Sequence, residues 1–240
     1  MREGPCCSAD PRDSRSGSCI RLLGLYPRQT GAYSPIVTVS GMELIANVAR
    51  RWKTDLSAEG AQRLAAYLDL FLDWNARINL SGAKSLNDLI EDHLPDGFAM
   101  ASLVPAGSRV CDIGSGGGLP GLPFAILRPD CKVVLVEPRA KRTAFLNAAV
   151  RAAACGNVAV ERIRLEEMGV GRFDVAASRA TFPPLEWLEA AKVLLAPGGS
   201  TLVFAVSEVK GTSALAVLRQ AVEYQTGKGS PRWLGMLCST

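Results

Sequence analysis

The run Val110-Cys111-Asp112-Ile113-Gly114-Ser115-Gly116-Gly117-Gly118-Leu119-Pro120-Gly121 leads from a β-branched stretch through a carboxylate into a glycine loop, and Val133-Val134-Leu135-Val136 ends in a second carboxylate, Glu137. These residue types in this order suit a nucleotide. Glycines let backbone approach a ligand, a helix opening after them presents free N–H groups, and a carboxylate at the next strand end can accept from both hydroxyls of a ribose. Gly116, within the loop, and Glu137, at the strand end, are therefore candidate binding residues.

The spacing Gly116-x-Gly118-x-x-Gly121 also satisfies the pattern that precedes a dinucleotide pyrophosphate, so glycines alone leave the ligand open. Two details favour a different one. Asp112 enters the loop as Asp-x-Gly-x-Gly, where a pyrophosphate would meet negative charge, whereas S-adenosylmethionine brings an ammonium group. Further on, Leu194-Leu195-Ala196-Pro197-Gly198-Gly199 precedes the apolar stretch Ser200 to Val206, a turn-then-strand arrangement that resembles the fifth strand of class I methyltransferases.

The elements that must position this loop alternate. Strands are expected near 109–113, 132–137, 158–161, 173–178 and 200–206, with helices near 120–128, 139–154, 184–195 and 212–222. Such alternation implies a mostly parallel sheet covered on both faces, with ligands at the carboxyl ends of its strands. Those ends carry Gly114 to Leu119, Glu137-Pro138-Arg139, Arg164-Leu165-Glu166 and Ser178-Arg179-Ala180. Salt bridges of Arg164 and Arg179 with Glu166 or Glu167 stand as the alternative to ligand contact. Arg139, Lys141 and Arg142 fall in the first turn of the helix after Glu137, where the dipole disfavours cations, so phosphate contact and a solvated face both remain open. Near the C-terminus, Val222 to Gln225 and Trp233 to Leu237 are expected to close the sheet as an antiparallel hairpin.

Upstream, Glu43 to about Leu103 has helical periodicity: Leu64, Tyr67, Leu68, Phe71 and Leu72 share one face, with Ser57 or Asp55 as cap, and Ser85 with Asp88 opens a further helix. Residues 1–41, rich in Gly, Pro, Ser and Arg, read as a disordered tail, or as residues ahead of a true start at Met42. The expected organisation is thus a tail over 1–41, a helical region over 42–104 and a nucleotide-binding domain over 105–240.

Composition bounds the function. The 240 residues are 48% hydrophobic and 21% charged, and no apolar run approaches the roughly 20 residues needed to span a bilayer. Seven cysteines, odd in number and without a Cys-x-x-Cys pair, fit reduced thiols in a cytoplasm and argue against a zinc site. His93 is the single histidine, which leaves no His-rich metal site; it reads as a hydrogen-bonded support and not a base. Of the net charge of +4, the first 41 residues hold five arginines against Glu3, Asp10 and Asp13, leaving 22 basic against 20 acidic residues elsewhere. A nucleic-acid partner would have to be gripped by a local patch.

Asp112 through Pro123, Lys141-Arg142-x-x-Phe145-Leu146, Arg164-Leu165-Glu166-Glu167 and Ser178-Arg179-Ala180 resemble the bacterial 16S ribosomal RNA guanine-N7 methyltransferase family, glucose-inhibited division protein B. Trp74-Asn75-x-x-x-Asn79-Leu80-Ser81 and Asp92-His93-x-x-Asp96 are similar to its helical N-terminal region, and the likeness covers about 42–206. The resemblance implies an α/β, Rossmann-like class I S-adenosylmethionine-dependent methyltransferase fold. It also implies that Gly114, Leu119, Leu165, Glu166 and Arg179 touch S-adenosylmethionine, with Glu137 near its ribose. It further implies 16S ribosomal RNA or the small ribosomal subunit as partner, no membrane association, a cytoplasmic monomer, and methyl transfer with no assigned catalytic acid or base. Departures fall on the substrate side: Asp92 stands where the family has Arg, Gly97 where it has Ser, and Ala205-Val206-Ser207-Glu208 where it has Ala-Leu-Lys-Gly. An NAD(P)-dependent oxidoreductase and a non-catalytic RNA-binding or ribosome-assembly protein are the competing readings.

Overall fold

Strand β1 (Arg109–Ile113) is buried on both faces beyond its first residue: Val110 joins one hydrophobic cluster while Cys111 and Ile113 join another on the opposite side. In the computed structural model, which describes residues 39–212 and 215–239, β1 is an inner strand, third in a seven-stranded sheet. The others are β2 (Lys132–Val136), β3 (Val158–Glu161), β4 (Phe173–Ser178), β5 (Leu195–Ala205), β6 (Ala216–Gln225) and β7 (Pro231–Ser239), in the order β3-β2-β1-β4-β5-β7-β6. Five strands are parallel, with Val110 opposite Val133 on one side and Val175 on the other; β7 runs antiparallel between β5 and β6. The order reverses between β1 and β4, and a sheet that winds both ways from one point opens a crevice there. This is the doubly wound, mostly parallel α/β architecture expected of a class I methyltransferase.

Helices α1 (Val39–Arg51) and α2 (Ala58–Ile78) are followed by the short α3 (Leu86–Asp88), a π-helical turn over Leu89–His93, and α4 (Leu94–Leu103). Ser57 caps α2 by accepting from the Gly60 amide at 3.0 Å, and Ser85 caps α3 from the Asp88 amide at 3.1 Å. At the far end of α2, Asn75 Oδ1 accepts from the amides of Leu80 and Ser81 while its Nδ2 donates to the Ala83 carbonyl, so that asparagine builds the turn. Helices α5 (Gly121–Leu127) and α6 (Ala140–Ala152) share one cluster with α1, α2 and α4. At its centre Phe71 stands edge-on to Tyr67 and Phe145, with centroids 5.9 and 5.7 Å apart. Truncating such a ring to alanine costs about 3–5 kcal/mol. Helix α7 (Pro184–Ala191) covers the other face through Trp187, whose indole donates to the Leu202 carbonyl.

The structure corrects the reading in three places. Residues 212–222 do not form a helix: Ala216 onward is strand β6, with Val217 opposite Cys238 and Val222 opposite Leu234. The apolar spacing there fitted a helix, but Val217 and Leu218 are exposed, so no helical face buries and pairing with β7 decides the outcome. Val39 to Gly41 belong to α1, because Gly41 shares its buried face with Ile45, Val48 and Ala49; the rest of the expected tail lies outside the described residues. Strand β5 begins at Leu195, ahead of the expected 200, with its pairing to β4 shifted around Ala196 to Gly199. Among the described residues no helix is long and apolar enough to cross a membrane.

Candidate functional site

The loop from Gly114 to Pro120 links β1 to α5 at the switch point of the sheet. Gly114, Gly116 and Gly118 hold φ of +71°, +55° and +81°, which only glycine adopts cheaply. The other two glycines serve packing. A Cβ on Gly117 would come 2.5 Å from the Phe71 ring, and one on Gly121 would come 2.6 Å from both Asp112 Oδ2 and Leu135. Helix α2 therefore lies directly on the loop, and Tyr67 donates its hydroxyl to the Gly117 carbonyl at 2.7 Å.

Two buried carboxylates bracket the loop. Glu137, 3% exposed at the end of β2, accepts from the Gly116 amide at 3.1 Å and from the Arg139 amide at 2.9 Å; Arg142 Nη1 lies 4.0 Å away. Asp112, 1% exposed, has no hydrogen-bond partner for Oδ2 among the described residues. Burial pushes its carboxyl up to about 7, against the pull of the nearby Ser115 hydroxyl, Arg179 and the Gly121 amide, with Glu137 adding repulsion. Glu137, joined by Asp112 in the fraction of it that ionises near pH 7, repels a pyrophosphate across the glycine loop. The two carboxyl groups suit a ligand carrying an ammonium and a vicinal diol, and Asp112 Oδ2 stands beside the loop as a buried acceptor with no partner among the described residues. The residues present fit S-adenosylmethionine.

The remaining candidates fall around this loop unevenly. Leu119 is buried within the cluster shared with the helices. Leu165 and Glu166 form a 3-10 turn after β3, with Leu165 partly buried against the hydrophobic cluster that includes Ile113 and Met168, and Glu166 exposed. The Arg164 amide meets Glu167 at 3.4 Å. Arg179, on the loop after β4, pairs with neither Glu166 nor Glu167. Its guanidinium donates to Asp96 and lies 3.1 Å from His93 Nδ1. Burial first, and Arg179 second, push the imidazole down to about 4, so His93 is neutral near pH 7 with Nδ1 as acceptor.

Three participants carried no role in the sequence reading. Asp96, 1% exposed in the first turn of α4, accepts from Arg179 and, at 2.6 Å, from the Tyr224 hydroxyl of β6. Thr181 closes over Gly114, where a Cβ would meet its side chain. A carboxylate three residues after a histidine, amid Leu94, Phe98, Ala99 and Met100, was the available signal, because a charge on an apolar helix must find a partner. The departures also have local explanations. Asp92 pairs with Lys228 of the β6–β7 hairpin at 2.9 Å, and a Cβ on Gly97 would come 2.8 Å from Pro123, so α4 and α5 meet more closely than a side chain permits. Ser207 is exposed beyond β5.

Residues 60–227 match the family described as GidB, rRNA small subunit methyltransferase G. A ribosomal RNA small subunit methyltransferase G of Halorhodospira halophila is 35% identical over 148 residues, 62% of this chain and 70% of that protein. The protein of the same name from Thermobifida fusca is 40% identical over 156 residues, 65% of this chain and 64% of its own. Among solved structures, a SAM-dependent methyltransferase from Aquifex aeolicus aligns over 64% of this chain and 93% of its own, with 16% identity and a TM-score of 0.48.

Proposed function

The chain belongs to the family of GidB, rRNA small subunit methyltransferase G, and on that premise we propose that it methylates N7 of a guanine in 16S ribosomal RNA, using S-adenosylmethionine. The observation that carries the reading is the pair of buried carboxylates, Asp112 and Glu137, on adjacent strand ends around a loop of left-handed glycines. Glu137 would accept from the ribose hydroxyls, and the field of Asp112 would favour the ammonium. Gly114, Gly116 and Leu119 would contribute the loop, Leu165 and Glu166 the turn after β3, and Arg179 the loop after β4.

Bound there, S-adenosylmethionine supplies an electrophilic methyl on a sulfonium. Guanine N7 offers an in-plane lone pair and carries no proton, so no residue has to act as a base. What the chain supplies is position: it orients the base, and the contact of α2 with the glycine loop keeps water from that side. His93 fits this, since its Nδ1 is engaged with Arg179.

The test uses 16S ribosomal RNA, naked or within small subunits, from a strain lacking the gene, with radiolabelled S-adenosylmethionine. Label at a single guanine, released by chemistry specific for N7-methylguanine, is expected. Retained affinity for RNA alongside failure to bind S-adenosylhomocysteine would favour a non-catalytic RNA-binding protein. Tight binding of NADH in its place would return the dinucleotide reading.

A further inference from the structure

A cleft of about 570 Å3 lies outside the cofactor loops, between the last turn of α2 and the first turn of α6. Its polar lining is Asn75 and Arg77 from α2 with its cap Asn79, and Lys141 and Arg142 from α6 with its cap Arg139. Four cations thus face one concavity, on a chain whose described body carries almost no net charge. The fold does not need them there. Arg139 and Lys141 are exposed, and their side chains have no ion pair or hydrogen bond among the described residues. Arg77 pairs with Asp73 one turn back, both substantially exposed, an arrangement that contributes little. The first turn of α6 holds no acid, and cations at that end oppose the helix dipole.

Arg142 joins the cleft to the site. Its Nη2 lies 3.5 Å from the Asn79 carbonyl and its Nη1 4.0 Å from Glu137 Oε2. A polyanion held in the cleft would therefore run beside the glycine loop. S-adenosylmethionine has no phosphate, so phosphate-binding chemistry at this rim belongs to the other substrate. We propose that this cleft grips backbone phosphates of the substrate RNA next to the target guanine, an inference that rests on the functional reading above.

The test reverses charge at one cation from each wall, neither of them bonded to Glu137, in the double variant Arg77→Glu, Lys141→Glu of the full chain, with Arg77→Ala, Lys141→Ala as the milder pair. Binding of 16S ribosomal RNA is titrated from about 50 to 200 mM salt, and S-adenosylhomocysteine affinity is measured alongside. The expected result is RNA affinity lowered roughly tenfold or more for the reversed pair. The slope of log affinity against log salt should flatten by about 1–2, because each phosphate contact on single-stranded RNA contributes roughly 0.7. S-adenosylhomocysteine affinity should stay within about twofold, which also shows that the variant is folded, and KM for RNA should rise with kcat retained. Unchanged RNA affinity and slope in the folded variant would overturn the proposal. So would loss of S-adenosylhomocysteine binding with RNA affinity kept, which would assign the cleft to the cofactor. RNA affinity judges the cleft, whereas methyl transfer by the unaltered protein judges the function, so failure of one is distinguishable from failure of the other.

Discussion

The Arg179 guanidinium rests on the buried carboxylate of Asp96, tying the loop that leaves β4 to the first turn of α4. Two further groups complete the arrangement: the Tyr224 hydroxyl donates to the other oxygen of Asp96, and His93 presents Nδ1 to Arg179. A loop residue expected to touch the cofactor is thus held by the helical region and by the terminal hairpin together.

Breaking that arrangement should cost stability and cofactor affinity together. Asp96→Ala leaves Arg179 without its counter-charge in a setting where Asp96 is 1% exposed, and should destabilise by about 3–5 kcal/mol. Asp96→Asn or Tyr224→Phe, which each remove one favourable contact, should cost about 1–3 kcal/mol. Urea midpoints at unchanged m-value measure this. An Asp96→Ala protein within about 0.5 kcal/mol of the parent would mean that Arg179 does not depend on Asp96.

Stability should respond to pH through two buried groups of opposite sign. Asp112, raised to about 7 by burial, holds a proton in the folded state that the unfolded chain releases near its ordinary range, so its contribution falls as pH rises from about 4 to 7. His93, lowered to about 4 by burial and then by Arg179, is neutral when folded while the unfolded chain takes up a proton below about 6.5, so its contribution rises with pH from about 4 to 6.5. The two oppose each other over their shared window. Asp112→Asn should unmask a rise toward pH 6.5, and His93→Gln a decline toward pH 7, each on the order of 2–4 kcal/mol against the parent. Denaturation curves for either variant that run parallel to the parent across this range would show that its residue titrates ordinarily.

The glycines of the loop should separate into two kinds. Gly116→Ala places a Cβ no closer than 3.6 Å to any atom, so the fold should survive at a cost of about 1–2 kcal/mol for the left-handed backbone. The added methyl stands over the cofactor loop, and S-adenosylhomocysteine affinity should fall by roughly tenfold or more. Gly121→Ala drives a methyl against Asp112 and Leu135 and should destabilise by about 1–3 kcal/mol or more. Melting temperatures together with calorimetry distinguish them, and a folded Gly116→Ala protein with full affinity would contradict the placement of the loop.

Glu137→Ala removes the proposed ribose acceptor and also the carboxylate that holds the Gly116 and Arg139 amides. Cofactor affinity should drop by about 2–4 kcal/mol, with a smaller loss for Glu137→Gln, which keeps one acceptor oxygen. Calorimetry finding less than about a twofold change for the alanine variant would remove Glu137 from the pocket.

What the sequence determined by itself is what local chemistry governs. Ser57 and Ser85 cap helices because the amides they serve lie three residues away, and Asp112, the glycines and Glu137 converge because each ends or follows a neighbouring parallel strand. The alternation of strands and helices from 109 to 205 was legible for the same reason: burial on both faces leaves an apolar run that needs no partner to be recognised. Only the tertiary structure decided the rest. Asp96 meets Arg179 across 83 positions and Tyr224 across 128, distances over which residue spacing carries no information about contact. Gly117 and Gly121 look like Gly116 in the chain, yet they are small because Phe71 and Asp112 press on them. Residues 216–222 became a strand because β7 offered a ladder and neither helical face could bury, an outcome set by a neighbour and not by the residues themselves.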